Sequence, residues 1–216
     1  MATGGIIITG GAGFIGSNLV EALNRRGLTD ILVVDHLGRD AKWRNLCGPQ
    51  FADCVQKDEF RRAVREHRLA KVSAVLHMGA CSATTELDLG YLLDNNYRFS
   101  VELCEWCLRH GTRFIYASSA ATYGDGTLGY SDEDATTPSL RPLNAYGFSK
   151  QLFDLWALRK GLLEGIVGLK FFNVYGPRED HKGDMRSVVH KAFGQTIRDG
   201  EVRLFKSYRS GYRDGG

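Results

Sequence analysis

The chain has 216 residues, 43% hydrophobic and 25% charged, with 26 Gly against 4 Pro and a formal net charge of +3. That balance excludes disordered and fibrous classes, and a chain of this length buries a core without disulfide staples. Basic and acidic residues are interleaved, so there is no electrostatic footprint for nucleic acid, and no apolar run approaches the roughly 20 residues of a membrane span. Glycine exceeds its usual share of about 7%, and the surplus is concentrated near the start of the chain.

Ile6-Ile7-Ile8 is a β-branched run that breaks into Thr9-Gly10-Gly11-Ala12-Gly13-Phe14-Ile15-Gly16. A helical pattern follows, with Leu19, Val20 and Leu23 on one face and Gly27 as its stop. Ile31 to Asp35 reads as a second strand, 57–69 as a helix, Val72 to Met78 as a third strand, 86–110 as one long helix and Phe114 to Ser118 as a fourth strand. A helix from Asn144 to about Arg159, a strand from Ile166 to Phe172 and an amphipathic helix from about Arg186 to Arg198 complete the pattern. The strands are continuously apolar rather than alternating, as in a parallel sheet covered on both faces. The expected fold class is α/β, a doubly wound parallel sheet of Rossmann type, with an incomplete, smaller C-terminal region. A dinucleotide-binding domain is expected over 1–172, and the start of a substrate domain over 173–216.

The glycine run sits between a strand and a helix, where chemistry demands glycine. The turn must be tight, backbone must approach a pyrophosphate, and helix must pack closely on strand. The N–H groups at the helix start, around Gly13, Phe14, Ile15 and Gly16, then face the phosphates. Asp35 closes the second strand 19 residues after Gly16, in position to accept from a ribose. Asp35 favours NAD, whereas His36, Arg39, Lys42 and Lys57 offer positive charge for the extra phosphate of NADP. These residues leave NADP and NAD both open.

Tyr146 and Lys150 lie four apart on one helix face. Tyrosine ionises near pH 10, and a lysine ammonium beside it, with an oxidised nicotinamide, favours the phenolate. Such a tyrosine takes the proton from a substrate hydroxyl. Ser118 and Ser119, at the end of the fourth strand, offer hydroxyls to orient the same oxygen.

Other polar features receive bland readings. Arg61, Arg62, Arg65 and Arg68 alternate with Glu59 and Glu66 as a solvated helix face. The pair Cys104 and Cys107 lies inside a helix with no second cysteine pair, so both are expected as small buried hydrophobes. His77 and His181 are taken as packing or supporting residues, and no metal site is expected among the six histidines. Five cysteines and no signal-like start suggest a reducing, cytoplasmic setting.

Taken in order, Thr9 to Gly16, Ser118-Ser119, Tyr146-x-x-x-Lys150 and Phe172-Asn173-Val174-Tyr175-Gly176-Pro177-Arg178 make the chain resemble the extended short-chain dehydrogenase/reductases, which include the NAD-dependent epimerases and dehydratases. Gly79-Ala80-Cys81-Ser82-Ala83-Thr84-Thr85-Glu86, Asp94-Asn95-Asn96-Tyr97 and Tyr175 to Gly183 are most similar to the branch that inverts C6 of ADP-D-glycero-D-manno-heptose for lipopolysaccharide core synthesis. The resemblance implies an isomerase that transiently oxidises C6 with bound NADP and returns hydride to the other face. It implies Tyr146 and Lys182 as the two acid/base groups, Lys150 on the nicotinamide ribose and Ser119 on the reacting oxygen. Met78, Gly79, Ala80, Cys81, Ser82, Asn95, Val174 and Lys182 would line the cofactor. Asn173, Asp184, Lys191, Phe205, Lys206, Ser207 and Tyr208 would face the sugar nucleotide, although Asp184 stands where the branch carries a small polar residue. A homo-oligomer with a small-molecule nucleotide-sugar substrate, without nucleic acid or membrane, is implied.

Family members continue beyond residue 216, so a truncated chain is expected, and cofactor binding without turnover is one reading of it. A hexose 4-epimerase is the nearer rival. Ala120-Ala121 after Ser119 argues against a dehydratase, which places an Asp-Glu pair there. The retained Tyr146 and Lys150 argue against a non-catalytic cofactor sensor.

Overall fold

The computed structural model describes residues 5–204, 206, 207 and 211. The chain divides into two compact units, 1–172 and 173–216.

The first unit is a six-stranded parallel sheet built from β1 (Ile6–Thr9), β2 (Ile31–Asp35), β3 (Asp53–Gln56), β4 (Ala74–His77), β5 (Arg113–Ser119) and β6 (Val167–Phe171). Their order is β3-β2-β1-β4-β5-β6, with Ile6 in register with both Ile31 and Ala74. Strand order reverses between β1 and β4, and at such a switch point a crevice opens beyond the carboxyl ends of the strands.

Successive strand residues point to opposite faces, and the core is split accordingly. Ile8, Val33 and Ile31 pack with Val20 of α1 (Phe14–Asn24). Ile7, Val34 and Val75 pack on the other face with α2 (Lys57–Arg65), α4 (Phe99–His110) and α5 (Ala145–Arg159), through Phe60, Leu103, Trp106 and Phe153. Cys104 and Cys107 are fully buried in that cluster. Burial pushes the Cys104 thiol up to about 12, so both behave as packing groups.

Three departures from the sequence reading have physical causes. Strand β3 was not anticipated, because Asp53-Cys54-Val55-Gln56 has only two apolar residues and forms a half-exposed edge on β2. The expected helix over 86–110 is α3 (Leu89–Leu92), a π-helical segment (Leu93–Arg98) and then α4. The extra residue per turn directs Asn95 and Asn96 inward, where both are buried. The arginine face on α2 is also only partly solvated. Arg61 is buried, bonded to Asp94 at 2.6 and 2.9 Å and to Glu102 at 2.8 and 2.9 Å, with its guanidinium over the Phe99 ring.

Helix α5 starts where the Asn144 side chain accepts from the Gly147 N–H at 2.7 Å. In the second unit, α6 (Val188–Asp199) is capped by Ser187, whose hydroxyl accepts from the His190 N–H at 3.1 Å, and it stops at left-handed Gly200. Among the described residues no helix is long and apolar enough to cross a membrane.

Candidate active site

The crevice begins at the glycine run. Gly10 has φ of +67°, and a Cβ there would lie 2.7 Å from the Gly79 nitrogen. A Cβ on Gly16 would lie 2.1 Å from the Gly10 carbonyl oxygen, so α1 can start this close to β1 only with glycine. Gly13 caps α1 without a side chain, and the first turn, with Phe14 and Ile15, carries no acidic residue. The positive end of the helix is therefore left for an anion. A cradle that any side chain would fill, ending on a helix N-terminus, fits the pyrophosphate of a dinucleotide.

Asp35 is buried at the end of β2. One carboxylate oxygen accepts from the Ala12 N–H and the other from the Lys42 ammonium, each at 2.9 Å. Lys42 is thus drawn onto Asp35, His36 is exposed beside it, and the Lys57 ammonium donates to Asn95 Oδ1 at 2.9 Å.

The loop after β4 lies against Gly10. Met78 donates its N–H to the Thr9 carbonyl, and Gly79 donates to Thr9 Oγ1 at 3.1 Å. Ala80 and Cys81 are half-buried and Ser82 is exposed. Asn96 holds this loop to α5. Its Oδ1 accepts from the Cys81 N–H at 2.9 Å, and its Nδ2 donates to the Cys81 carbonyl and to Ser149 Oγ, both at 3.0 Å. Sequence reasoning named Asn95 and passed over Asn96, because the π segment that buries both has no periodic signature.

His77 lies behind the loop. The Ser100 hydroxyl donates to the Asn96 carbonyl, so the His77 Nε2–H donates to Ser100, and Nδ1 accepts from the Thr9 hydroxyl at 2.7 Å. Burial, aided by the Lys150 charge, lowers its pKa to about 3, and the ring is neutral.

The reactive groups meet where β5 ends against α5. Ser119 Oγ accepts from the Ala121 N–H at 3.1 Å, which leaves its proton free to turn toward the Tyr146 oxygen, whose acidity it affects. Burial raises the Tyr146 phenol above its ordinary value, and Ser119 offsets part of that rise. Lys150 is buried, donates to the Ala117 carbonyl at 2.8 Å, and is pushed down to about 8 by burial against the opposing pull of Asp154 and Cys81. In the chain alone burial thus holds the phenol neutral, and the expected phenolate needs an oxidised nicotinamide beside it as well as the Lys150 ammonium.

Ser118 departs from expectation too. Its hydroxyl turns away from Tyr146 and donates to Asp154 Oδ2 at 2.7 Å. Asp154 also accepts from the Tyr116 hydroxyl at 2.9 Å and the Lys170 ammonium at 2.7 Å. The sequence reading had singled out neither Asp154 nor Lys170, since an acidic residue on an amphipathic helix has no distinguishing pattern.

The second unit holds the remaining named residues. Asn173 and Val174 are exposed. Lys182 is half-buried in a 3₁₀ segment (Asp180–Met185), and its N–H donates to the Glu179 carbonyl at 2.9 Å. Asp184 is exposed, and its carbonyl accepts from the Lys191 ammonium at 2.6 Å. The Glu179 carboxylate is buried, which by itself raises its pKa, yet donors from Ser187 and Gly176 hold it below the usual range. Lys206 is exposed and Ser207 half-buried, while Phe205 and Tyr208 lie outside the described residues.

Residues 6–214 match the model of the NAD dependent epimerase/dehydratase family. The chain belongs to that family. It is 59% identical over 211 residues to ADP-L-glycero-D-manno-heptose-6-epimerase of Nitratidesulfovibrio vulgaris (strain DP4), covering 97% of this chain and 65% of that relative. The Fusobacterium nucleatum protein of the same name is 48% identical over 214 residues, with 97% and 64% covered. The crystal structure of the Helicobacter pylori protein of that name superposes with a TM-score of 0.82 at 30% identity, over 94% of this chain and 66% of that one. The chain thus spans about two thirds of the length of these members of the epimerase/dehydratase family, and shares their doubly wound parallel sheet.

Proposed function

We propose that this chain carries the cofactor side and most of the acid/base machinery of an epimerase that inverts C6 of ADP-D-glycero-D-manno-heptose to the L-glycero form through a 6-keto sugar. The observation that carries it is Tyr146 beside Ser119, with Lys150 one helical turn on, buried and held by the Ala117 carbonyl at the end of β5, in the same domain as the glycine cradle. The 59% identity to a relative bearing that activity in its name supports the choice of substrate.

In this reading Gly10, Gly13 and Gly16, with the start of α1, hold the pyrophosphate of a nicotinamide dinucleotide. Asp35 and His36 face the adenosine ribose, and Lys150 faces the nicotinamide ribose. Met78 to Ser82, Asn95, Lys57 and Val174 line the rest. Lys42 neutralises Asp35 and so lowers the repulsion toward a 2′-phosphate, which favours NADP over NAD. When bound, the nicotinamide supplies a reversible acceptor for one hydrogen and its electron pair. Ser119 orients the sugar hydroxyl, and Tyr146 removes its proton. The raised phenol needs added positive charge before it can do so, which the Lys150 ammonium and an oxidised nicotinamide supply together. A carbonyl that turns over presents its oxygen in a second position, and Lys182 is the second acid/base group there. Asn173, Asp184, Lys191 and 205–208 belong to the sugar-nucleotide side. The product serves lipopolysaccharide core synthesis, and the enzyme is a cytoplasmic homo-oligomer.

The test is NMR of the C6 configuration after incubation with ADP-D-glycero-D-manno-heptose, using protein of the relatives' full length. L-glycero product is expected, and Tyr146→Phe should lower turnover by roughly 10²- to 10⁴-fold. Epimerisation of a UDP-hexose with no change in the heptose would replace this reading with that of a hexose 4-epimerase. In the 216-residue chain itself, cofactor binding without turnover is expected.

A further inference from the structure

Asp154 lies two helical turns beyond Tyr146 and one beyond Lys150 on α5, and its carboxylate is almost completely buried. A buried carboxylate is costly unless donors surround it. Asp154 has three: the Tyr116 and Ser118 hydroxyls, from alternate residues of β5, and the Lys170 ammonium of β6. Lys170 also donates to Thr122 Oγ1 at 2.9 Å, in the 3₁₀ turn (Ala120–Tyr123) that follows Ser119, and its ammonium lies over the Tyr123 ring.

These bonds fix the segment on which the reactive groups depend. Ala117, whose carbonyl holds the Lys150 ammonium, lies between Tyr116 and Ser118. Ser119, the partner of Tyr146, follows directly and leads into the turn held by Lys170. One carboxylate thus secures the strand on both sides of the Lys150 acceptor. It also puts negative charge on the same helix as a buried ammonium.

We propose that Asp154 is a positioning residue for the Tyr146–Ser119–Lys150 constellation, locking the end of β5 to α5 and so fixing the Ala117 carbonyl that holds the Lys150 ammonium. The proposal rests on the catalytic reading above and adds a residue to it. The ionisable groups that act on Lys150 are Asp154 on α5, Cys81 on the loop after β4 and His77 on β4, with Tyr146 one turn away on the same helix. Those facing Asp154 are Tyr116, Lys170, Tyr123 and Lys150. His77 is neutral above pH 3, and burial raises the Tyr116 phenol, so neither adds charge beside Lys150 at neutral pH.

The test reads Lys150 directly, without substrate or turnover. Carbon-13-labelled lysine is incorporated into the 216-residue chain, the Lys150 signal is assigned by its loss in Lys150→Met, and its titration is followed by NMR with circular dichroism as a check of fold. Titration near 8 is expected in the wild type, with a downward shift of about one unit in Asp154→Asn. Asp154→Glu, which restores the charge, should return the titration toward the wild-type value. If Asp154→Asn does not fold, Asp154→Asn/Lys170→Met decides, because it removes both charges of the pair and strands neither. Its Lys150 should titrate below that of Lys170→Met, the comparison that isolates the Asp154 charge. An unchanged Lys150 titration in a folded Asn variant, or an Asp154→Glu shift as large as that of Asn, overturns the proposal. A wrong sugar assignment leaves these outcomes untouched, so the two failures are distinguishable.

Discussion

At the scale of single residues, His77 is a buried ring with both nitrogens engaged and its pKa lowered to about 3. The unfolded chain takes up that proton near the ordinary value of about 6.5. The folded pKa is the lower one, so the stabilisation is complete above about 6.5 and is lost as pH falls toward 3, by about 1.4 kcal/mol per pH unit within that window. Urea midpoints should therefore drop between pH 6.5 and pH 5, and the drop should be smaller in His77→Asn. A packing role for His77 is legible in the sequence, but the neutral state and its tautomer follow from Thr9 and Ser100, which lie far from it along the chain. The same holds for Lys150. Its spacing from Tyr146 is visible in the sequence, whereas its bond to the Ala117 carbonyl is not.

At the scale of elements, the strand–glycine–helix unit and the α2–α4 contact make different demands. Gly16→Ala forces a Cβ against backbone at 2.1 Å, with no flexible side chain to give way. A loss of about 3 kcal/mol in unfolding free energy is expected, together with weaker cofactor binding by fluorescence titration. Arg61→Met removes the cation shared by Asp94 and Glu102, and should cost about 1–2 kcal/mol in urea denaturation, since Asp94 is half exposed and Glu102 keeps Arg65. Arg62→Ala, at an exposed position on the same helix, should change stability by less than about 0.5 kcal/mol. Identical arginines in one helical run have unlike values because Arg61 and Arg65 meet Glu102 of α4, whereas Arg62 faces solvent. Strand β3 escaped the sequence reading for a related reason: pairing with β2, rather than its own apolar content, makes it a strand.

At the scale of the whole molecule, the two units differ in how their chain is held. The first has both faces of its sheet packed with fully buried side chains. Among the described residues of the second, none of the buried side chains is apolar, and α6 exposes Val188, Val189, Phe193 and Ile197. Local opening costs little where few apolar contacts resist it. Hydrogen exchange should therefore find amides of α6 exchanging far faster than those of β1, β4 and β5. Equal protection in both would contradict this account.

By itself the sequence determined the fold class, the glycine cradle, Asp35 and the Tyr146–Lys150 spacing. Each of these is written in local pattern, as an apolar run, a turn that only glycine can make, or two residues one helical turn apart. Tertiary structure alone decided that Arg61 is buried, that a π segment turns Asn95 and Asn96 inward, that Ser119 rather than Ser118 meets Tyr146, and that Asp154 anchors the strand beneath them. These depend on which groups meet across elements distant in the chain. Burial and charge then act through distances that no one-dimensional pattern records.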